Sequence, residues 1–284
     1  MKKLILISAI VSTTLQSCDD YSKKKEDIIQ QNNNEIKENK LSPKQMLNQA
    51  YLLFKKGDDK ASIELANQVL RTGRKTNNDT LIGKALTSLC RNAQRSMDTL
   101  KLKELSKQLS NLATYSGDKQ WLMYRAHMNA EMWRLVGSMD KAEQFYKESL
   151  TISLELGKMG MYTIDHFNMS FVCISKKDFV KAKELIKKYY ALREKNSYPP
   201  NDAYGLIALA YFLEQQDNIQ GAHEVATVTR RLFKDQNIFP EPPDEKPLLK
   251  VEKRVKEKLD TISYNEIINS SDSLTVNYLI HKYL

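Results

Sequence analysis

The chain has 284 residues, a formal net charge of +9 and a hydrophobic content of 41%, with nine Gly and seven Pro. This length allows one or two domains, and no apolar run after residue 20 is long enough to span a bilayer. Because four of the seven Pro fall between residues 240 and 247, the rest of the chain is nearly free of helix breakers, which favours an all-α fold.

The N-terminus has the layout of a bacterial export signal. Met1 and two lysines precede an apolar stretch, residues 4–15, which is shorter than a transmembrane helix. The tetrapeptide that follows, Leu-Gln-Ser-Cys, resembles the lipobox of bacterial lipoproteins. The resemblance implies a signal peptide of residues 1–17 and fatty acids such as palmitate on Cys18, which would anchor the protein in a membrane of the cell envelope. The alternative is an ordinary signal peptide in which this cysteine is incidental.

Residues 18–41 are predicted to form a flexible polar tether. Beyond the cysteine they are mainly Lys, Glu, Asp, Asn and Gln with isolated Ile. Such a segment cannot bury enough apolar surface to offset the entropy lost on ordering. We expect it to hold the folded body away from the bilayer. In an exported chain the positive net charge does not indicate nucleic acid, so no nucleic-acid partner is expected.

A period of 40 residues organises the chain from Ser42 onward. One column of this period carries only small side chains, namely Ala50, Cys90, Ala130, Ser170 and Ala210. A second column carries helix N-cap residues, namely Asp58, Asp98, Ser138, Asp178 and Asn218. A third carries residues that mostly tolerate the left-handed turn beyond a helix end, namely Asn77, Gly117, Gly157, Ser197 and Asn237. The period predicts five copies of one unit, each with a first helix, a turn and a capped second helix.

The order of side chains within a unit resembles that of a tetratricopeptide (TPR) repeat. In the clearest copy, residues 129–150, a small residue and an aromatic precede Gly137, and Ala142 and Tyr146 follow on the second helix. The resemblance implies an all-α, right-handed α-solenoid of about five 40-residue TPR-like hairpins over residues 42–236. The small side chains would let the two helices of each unit approach closely. A HEAT-like array shares the longer period but does not explain this order.

Residues 237–284 leave the repeat frame and are predicted to form a helical cap. The Pro cluster breaks the last helix of the array, and apolar periodicity resumes near Leu248. A terminal repeat exposes an apolar face, which such a segment can cover. The basic stretch at 250–258 is interpreted either as a solvated helix face with ion pairs four residues apart or as a patch for anionic lipid or an acidic partner.

Motifs for catalysis or cofactor binding are missing from the sequence. We find no P-loop, HExxH, CxxC or nucleophile elbow. The histidines lack the spacing of metal ligands; they are His127, His166, His223 and His281. Cys90 and Cys173 fall at core positions of the repeat, where small buried thiols explain them without a disulfide. The sequence therefore predicts a non-enzymatic protein with no cofactor or metal.

The first helices of a TPR array line a concave groove, and the resemblance implies which residues face it. The recurring groove position holds Tyr51, Arg91, Glu131, Phe171 and Tyr211. Neighbouring groove positions hold Arg95, Tyr124, His127, Arg134, Phe167 and Tyr204. A groove rich in aromatics and Arg suits an extended peptide or a partner helix. The alternative is that several of these aromatics belong to the core between repeats.

Together these observations predict a lipid-anchored TPR scaffold of the cell envelope. Its groove would bind a protein or peptide partner, without catalysis. The alternative is a ligand-sensing TPR module that acts with a separate signalling or transcriptional effector.

Overall fold

A computed structural model describes residues 41–196, 203–238 and 240–284. The chain divides into two compact units, Met1–Met46 and Leu47–Leu284. In the first unit, the Ser42 hydroxyl accepts a hydrogen bond from the Gln45 backbone N–H, and Pro43 begins a helix. The predicted signal peptide, Cys18 and the tether up to residue 40 lie outside the described residues.

The described residues form thirteen helices and no strand. The helices are α1 Pro43–Lys55, α2 Asp59–Lys75, α3 Asp79–Arg95, α4 Thr99–Ser116, α5 Lys119–Val136, α6 Met139–Glu155, α7 Met159–Ser175, α8 Phe179–Lys195, α9 Ala203–Gln215, α10 Ile219–Asp235, α11 Pro242–Lys258, α12 Thr261–Ser271 and α13 Val276–Tyr283. Each consecutive pair from α2 to α10 packs together, and α3, α5, α7 and α9 contact one another in series. The predicted all-α solenoid of TPR-like hairpins is confirmed. Over the part of the chain that the structure describes, every helix is too short or too polar to cross a membrane.

The second helix of each unit begins at the predicted N-cap. At four of the five positions the side chain accepts a hydrogen bond from the backbone N–H three residues later, at 2.9–3.2 Å; these are Asp58, Asp98, Asp178 and Asn218. Ser138 makes no side-chain cap bond. These bonds satisfy backbone donors that a helix start leaves without a partner, so they set where each second helix begins.

The second helices end at the predicted left-handed residues. The φ angle is +49° at Asn77, +65° at Gly117, +64° at Gly157 and +50° at Asn237, whereas Ser197 lies outside the described residues. Gly and Asn adopt this conformation with little steric cost, which lets the chain reverse direction. The third column of the period, which predicts left-handed turns, is therefore confirmed at its four described positions.

The small column lies at the centre of the packing. Ala50, Cys90, Ala130, Ser170 and Ala210 are all 0% exposed. The Ser170 hydroxyl donates to the Phe167 carbonyl at 2.6 Å, so its burial leaves no unpaired donor. Cys90 and Cys173 are buried free thiols, as expected, and burial raises their pKa to about 12 and about 11.

The C-terminal helices do more than cover the last hairpin. Helices α12 and α13 pack on α10, where a cap was predicted, and α11 packs on both α9 and α10. Helix α11 also contacts α3, which belongs to the second unit of the array. It therefore reaches back across the first helices, a placement that the cap prediction did not include.

Candidate partner-binding groove

The predicted groove residues all lie on the first helices of the units, but their exposure differs along the array. Tyr51 on α1 is 48% exposed, whereas Glu131 on α5 and Phe171 on α7 are 0% and 3% exposed. Arg91 on α3 and Tyr211 on α9 are half-buried. The groove therefore has two parts that differ in their access to solvent.

The first part, the open region, is a cavity of 270 Å³ between α1, α3 and α5. It brings together three of the predicted residues, Tyr51, Arg91 and Tyr124. The other lining residues are Leu47, Phe54, Lys84, Thr87, Ser88, Gln120 and Trp121. Among the residues that the structure describes, two cations and four aromatics line this cavity, and no carboxylate does.

Arg91 is the distinctive side chain of the open region. Its guanidinium carbon lies 5.9 Å from the centre of the Tyr51 ring, within cation–π range. Among the described residues it has no ion pair and no side-chain hydrogen bond. An unpaired, half-buried guanidinium leaves its donors available to a carboxylate or another acceptor.

Gly83 of α3 contacts Trp121, one of the residues that line the open region. A Cβ atom placed on Gly83 would lie 2.5 Å from carbons of the Trp121 ring, which is far below van der Waals contact. Glycine therefore allows the buried Trp121 ring of α5 to lie directly against α3. This contact fixes the distance between the helix that carries Arg91 and the helix that carries Tyr124.

The second part, the covered region, consists of Arg95, Glu131, Arg134, Phe171 and Tyr211 beneath helix α11. The Arg134 guanidinium lies 5.6 Å from the Phe171 ring centre, and the Phe171 and Tyr211 rings are 6.3 Å apart. These contacts form a continuous path from α5 to α9. Predicted residues are thus brought together here as well, but with little access to solvent.

Glu131 is the buried centre of the covered region. Its carboxylate accepts hydrogen bonds from Gln94 at 2.6 Å, from Arg134 at 2.8 Å and from the Tyr146 hydroxyl. Burial alone would raise the pKa of Glu131, yet the charges of Arg134 and His127 and these hydrogen bonds lower it below its usual value. Glu131 is consequently a satisfied, ionised group that ties three helices together.

His127 and Phe167 also lie inside the packing. The His127 Nδ1 is 2.6 Å from an Asp165 carboxylate oxygen, which raises the pKa of the histidine although burial opposes this. Phe167 meets Phe171 edge-on at 5.0 Å and lies 5.3 Å from Tyr189. Phe167 and Phe171 therefore belong to the core between repeats and do not face a ligand in this conformation. The last predicted residue, Tyr204, packs edge-on against Phe233 of α10, at 5.1 Å.

Helix α11 supplies the charged contacts that cover the second part. Glu241, just before α11, accepts a hydrogen bond from Arg95 at 3.2 Å. Asp244 on its first turn lies 3.9 Å from Arg134, and the Lys250 ammonium lies 5.3 Å from the Tyr211 ring centre. Burial, together with the charges of Glu131 and Glu241, raises the pKa of Asp244 to about 7 against the pull of Arg134.

An apolar face holds α11 in place. Leu248, Val251 and Val255, spaced three and four residues apart, are fully buried. Each such side chain contributes roughly 1.5–3 kcal/mol when it leaves water. Arg230 of α10 adds ion pairs to Glu245 and Glu252, both at 2.6 Å. Helix α11 is therefore an integral part of the array.

Sequence reasoning missed two features of the groove. Lys84 and Trp121 were not among the predicted residues, although Lys84 lies seven residues before Arg91 and so on the same face of α3. The occupation of the groove by α11 was also missed. Its signals were the acidic residues 241, 244 and 245 ahead of the apolar spacing at 248, 251 and 255.

Comparisons with known proteins agree with the fold. The chain is similar to a Rap protein solved in complex with competence and sporulation factor, with 15% identity, a TM-score of 0.60, and coverage of 84% of this chain and 68% of that one. It is similar to apo RapI, with 13% identity, a TM-score of 0.56 and coverage of 81% and 82%. It is also similar to BtubC (BKLC) from P. vanneervenii, with 16% identity, a TM-score of 0.52 and coverage of 74% and 87%. No protein-family model matches the chain, and no curated protein matches it significantly in sequence. At these identities the similarity establishes the helical-repeat fold alone.

Proposed function

We propose that this protein is a lipid-anchored scaffold of the cell envelope that binds a protein or peptide partner in the open region of its groove, without catalysing a reaction. The proposal depends on the environment of Arg91. This arginine is half-buried in a cavity with Tyr51 and Tyr124, and it has no polar partner among the described residues. Aromatic side chains beside an available Arg are the composition found at the energetic centres of protein interfaces.

The shape of the open region favours a chain segment over a compact small molecule. The cavity lies along three successive first helices, α1, α3 and α5, so a ligand that fills it contacts side chains of several units. TPR-like arrays present such a surface to extended peptides or helices, which gain affinity from many small contacts. The fold similarity to the Rap protein complex is compatible with a ligand-binding role for this architecture.

The binding proposal is tested by site-specific crosslinking in cells. We expect a photoreactive phenylalanine analogue at Tyr51 to capture one partner at stoichiometric yield, identified by mass spectrometry. The control places the same analogue at Tyr115, which is 85% exposed but lies outside the open region. Adding Arg91→Gln to the protein that carries the analogue at Tyr51 should strongly reduce the yield of captured partner. Identical products from both positions would contradict the proposal.

The lipid anchor is tested separately, at Cys18. Cys18→Ala should abolish incorporation of radiolabelled palmitate and release the protein from membranes into the soluble fraction. Cys90→Ala, which alters a buried thiol of the array, is the matched control and should leave labelling intact. Continued labelling of Cys18→Ala would show that the lipobox resemblance is incidental.

A second candidate function is ligand sensing with a separate effector, and the position of α11 favours it. Because α11 contacts α3 at one end and α9 and α10 along its length, a ligand that moves α3 would also move α11. A screen of small molecules and short peptides by thermal unfolding distinguishes the two functions. Stabilisation by such a ligand, with no protein captured at Tyr51, would favour the sensor.

A further inference from the structure

Three cations form a line on the groove face of α3. Lys84, Arg91 and Arg95 are seven and four residues apart, a spacing that places them on one face of a helix. Lys84 and Arg91 line the open region. Arg95 lies one turn beyond, with its guanidinium 3.4 Å from the ring centre of Phe54, which also lines that cavity. We call these three residues the α3 cation row.

The far end of the α3 cation row already binds carboxylates. Arg95 donates to Asp59 at 3.0 Å and to Glu241 at 3.2 Å. On the neighbouring first helix, Arg134 donates to Glu131 at 2.8 Å and faces Asp244 at 3.9 Å. Glu241 and Asp244 come from the segment that begins α11, so one stretch of chain lays two carboxylates against two groove arginines.

The near end of the row is without carboxylates. Lys84 and Arg91 form no ion pair with any described residue, and none of the described Asp and Glu residues lines their cavity. Other half-buried arginines of the groove and cap have polar partners. Five of them form ion pairs, namely Arg95, Arg125, Arg134, Arg230 and Arg254, and Arg231 donates to backbone carbonyls of the cap. The open region thus continues the surface that α11 binds, but its two cations have no carboxylate partner among the described residues.

We propose that the partner segment is an acidic peptide whose carboxylates bind Lys84 and Arg91 and whose aromatic or apolar side chains enter the cavity beside Tyr51 and Tyr124. This inference rests on the proposed function and adds the chemistry of the partner. Seven helical residues separate the two cations by about 10.5 Å. In a polyproline II segment, side chains three residues apart project from the same side at a spacing of about 9 Å. An acidic residue at every third position therefore matches the row.

The size of the cation row favours a peptide over nucleic acid. Nucleic-acid affinity depends on neutralising many phosphates along a tract, and two free cations in a cavity lined by aromatics do not provide that surface. The ion pairs of Arg95 with Asp59 and Glu241 show that the adjacent arginine of the row accommodates carboxylate side chains of a polypeptide. The pattern is that of a charged rim around an aromatic pocket, which is typical of peptide recognition.

The inference is tested with synthetic peptides and the full chain. The probes are fluorescein-labelled dodecapeptides that repeat Glu-Pro-Tyr, Gln-Pro-Tyr or Lys-Pro-Tyr, and binding is measured by fluorescence anisotropy. We expect the Glu peptide to bind most tightly and the Lys peptide to show no binding. Raising the salt concentration from about 0.05 to about 0.5 M should weaken binding of the Glu peptide, because the contacts are ionic.

Matched variants locate the binding site. Arg91→Gln and Lys84→Gln should each weaken the Glu peptide about tenfold, the loss expected when one charge-assisted hydrogen bond is removed. Arg71→Gln changes an exposed arginine of α2 outside the cavity and should leave the affinity unchanged. Circular dichroism confirms that each variant is folded.

Three outcomes would overturn the inference. One is equal affinity for the Glu and Gln peptides, and another is an Arg91→Gln variant that binds the Glu peptide as the parent does. A single-stranded oligonucleotide that binds as tightly as the Glu peptide would likewise replace the acidic peptide with a nucleic acid. If Tyr51 crosslinks a partner but the peptides show no charge preference, the proposed function stands and only this inference fails.

Discussion

In the open region of the groove, Arg91 faces a cavity and has no polar partner among the described residues, whereas in the covered region Arg134 donates to buried Glu131 and faces Asp244 of α11. Both arginines lie on the groove side of a first helix, in adjacent units of the array. The difference between them is the C-terminal helix, which reaches one and not the other. Arginine therefore contributes to packing where α11 covers the groove, and its guanidinium is available for binding where α11 does not cover it.

The largest expected effect is a difference in the free energy of unfolding between variants of these two arginines. Arg134→Met should lower the free energy of unfolding by about 3–5 kcal/mol, because it leaves Glu131 buried without its main counter-ion. Arg91→Met, the matched change in the open region, should alter it by less than about 0.5 kcal/mol. Urea unfolding followed by circular dichroism measures both. Equal losses for the two variants would remove the distinction between the regions.

A second prediction concerns α11, the helix that covers one part of the groove and leaves the other open. Val251→Asp places a carboxylate on the buried face of α11 and should cost about 3 kcal/mol, because the charge must be desolvated or the helix expelled. Leu249→Asp, two residues earlier on the exposed face, should be nearly neutral. Hydrogen exchange should show faster exchange in α11 for Val251→Asp. Protection of α11 in both variants would mean that this face does not hold the helix.

The pH dependence of stability is expected to trace in part to Asp244. Its pKa is about 7 in the folded protein and near its ordinary value of 3.8 when unfolded, so the folded state binds more protons between these values. Stability should consequently fall as pH rises from about 4 to about 7. Asp244→Asn should flatten this slope; Glu131, Arg134 and Glu241, which surround the carboxyl group, are unchanged in that variant.

The measurement compares urea unfolding at about pH 5 and about pH 8 in the parent and in Asp244→Asn. His127, whose pKa is raised above 6.5, contributes in the same direction and remains in both proteins. Glu131, whose pKa is lowered, contributes stability that is lost only as the pH falls below about 4.5. A variant with the same pH slope as the parent would mean that Asp244 is ionised throughout.

The smallest expected effect compares two N-cap positions. Asp58→Ala, at the start of α2, should cost about 1 kcal/mol because it removes a bond to the Ala61 N–H. Ser138→Ala, at the equivalent position of α6, should cost less, because that serine makes no side-chain cap bond. Thermal unfolding resolves the two. A larger loss for Ser138→Ala would show that the serine caps α6 in solution.

The repeat and its turns could be predicted from the sequence because they depend on neighbours. An Asp three residues before its N–H partner, or a Gly or Asn at a left-handed turn, acts within a few residues, so a fixed spacing exposes it. The small column repeats because every unit makes the same close helix contact, and all five positions are fully buried. These features are local or periodic, and the fold followed from them.

The state of the groove could not be predicted in the same way. Whether Phe171 faces a ligand or the core depends on Phe167, Arg134 and Tyr211, which come from three units. The covered region is covered by α11. Its apolar spacing predicted a helix, but it did not predict that this helix would pack against the first helices of the array. Contacts between distant residues leave no spacing signal, and a single sequence does not reveal them.

The contact between Glu241 and Arg95 joins residues 146 positions apart in the chain. In an open solenoid, stability is a sum of nearest-neighbour interactions, and unfolding can begin at either end and spread. Helix α11 links α3 to α9 and α10, so the units between them lose that independence. We expect units two to five to unfold as one cooperative block, and to fold more slowly than an open array because a long loop must close first.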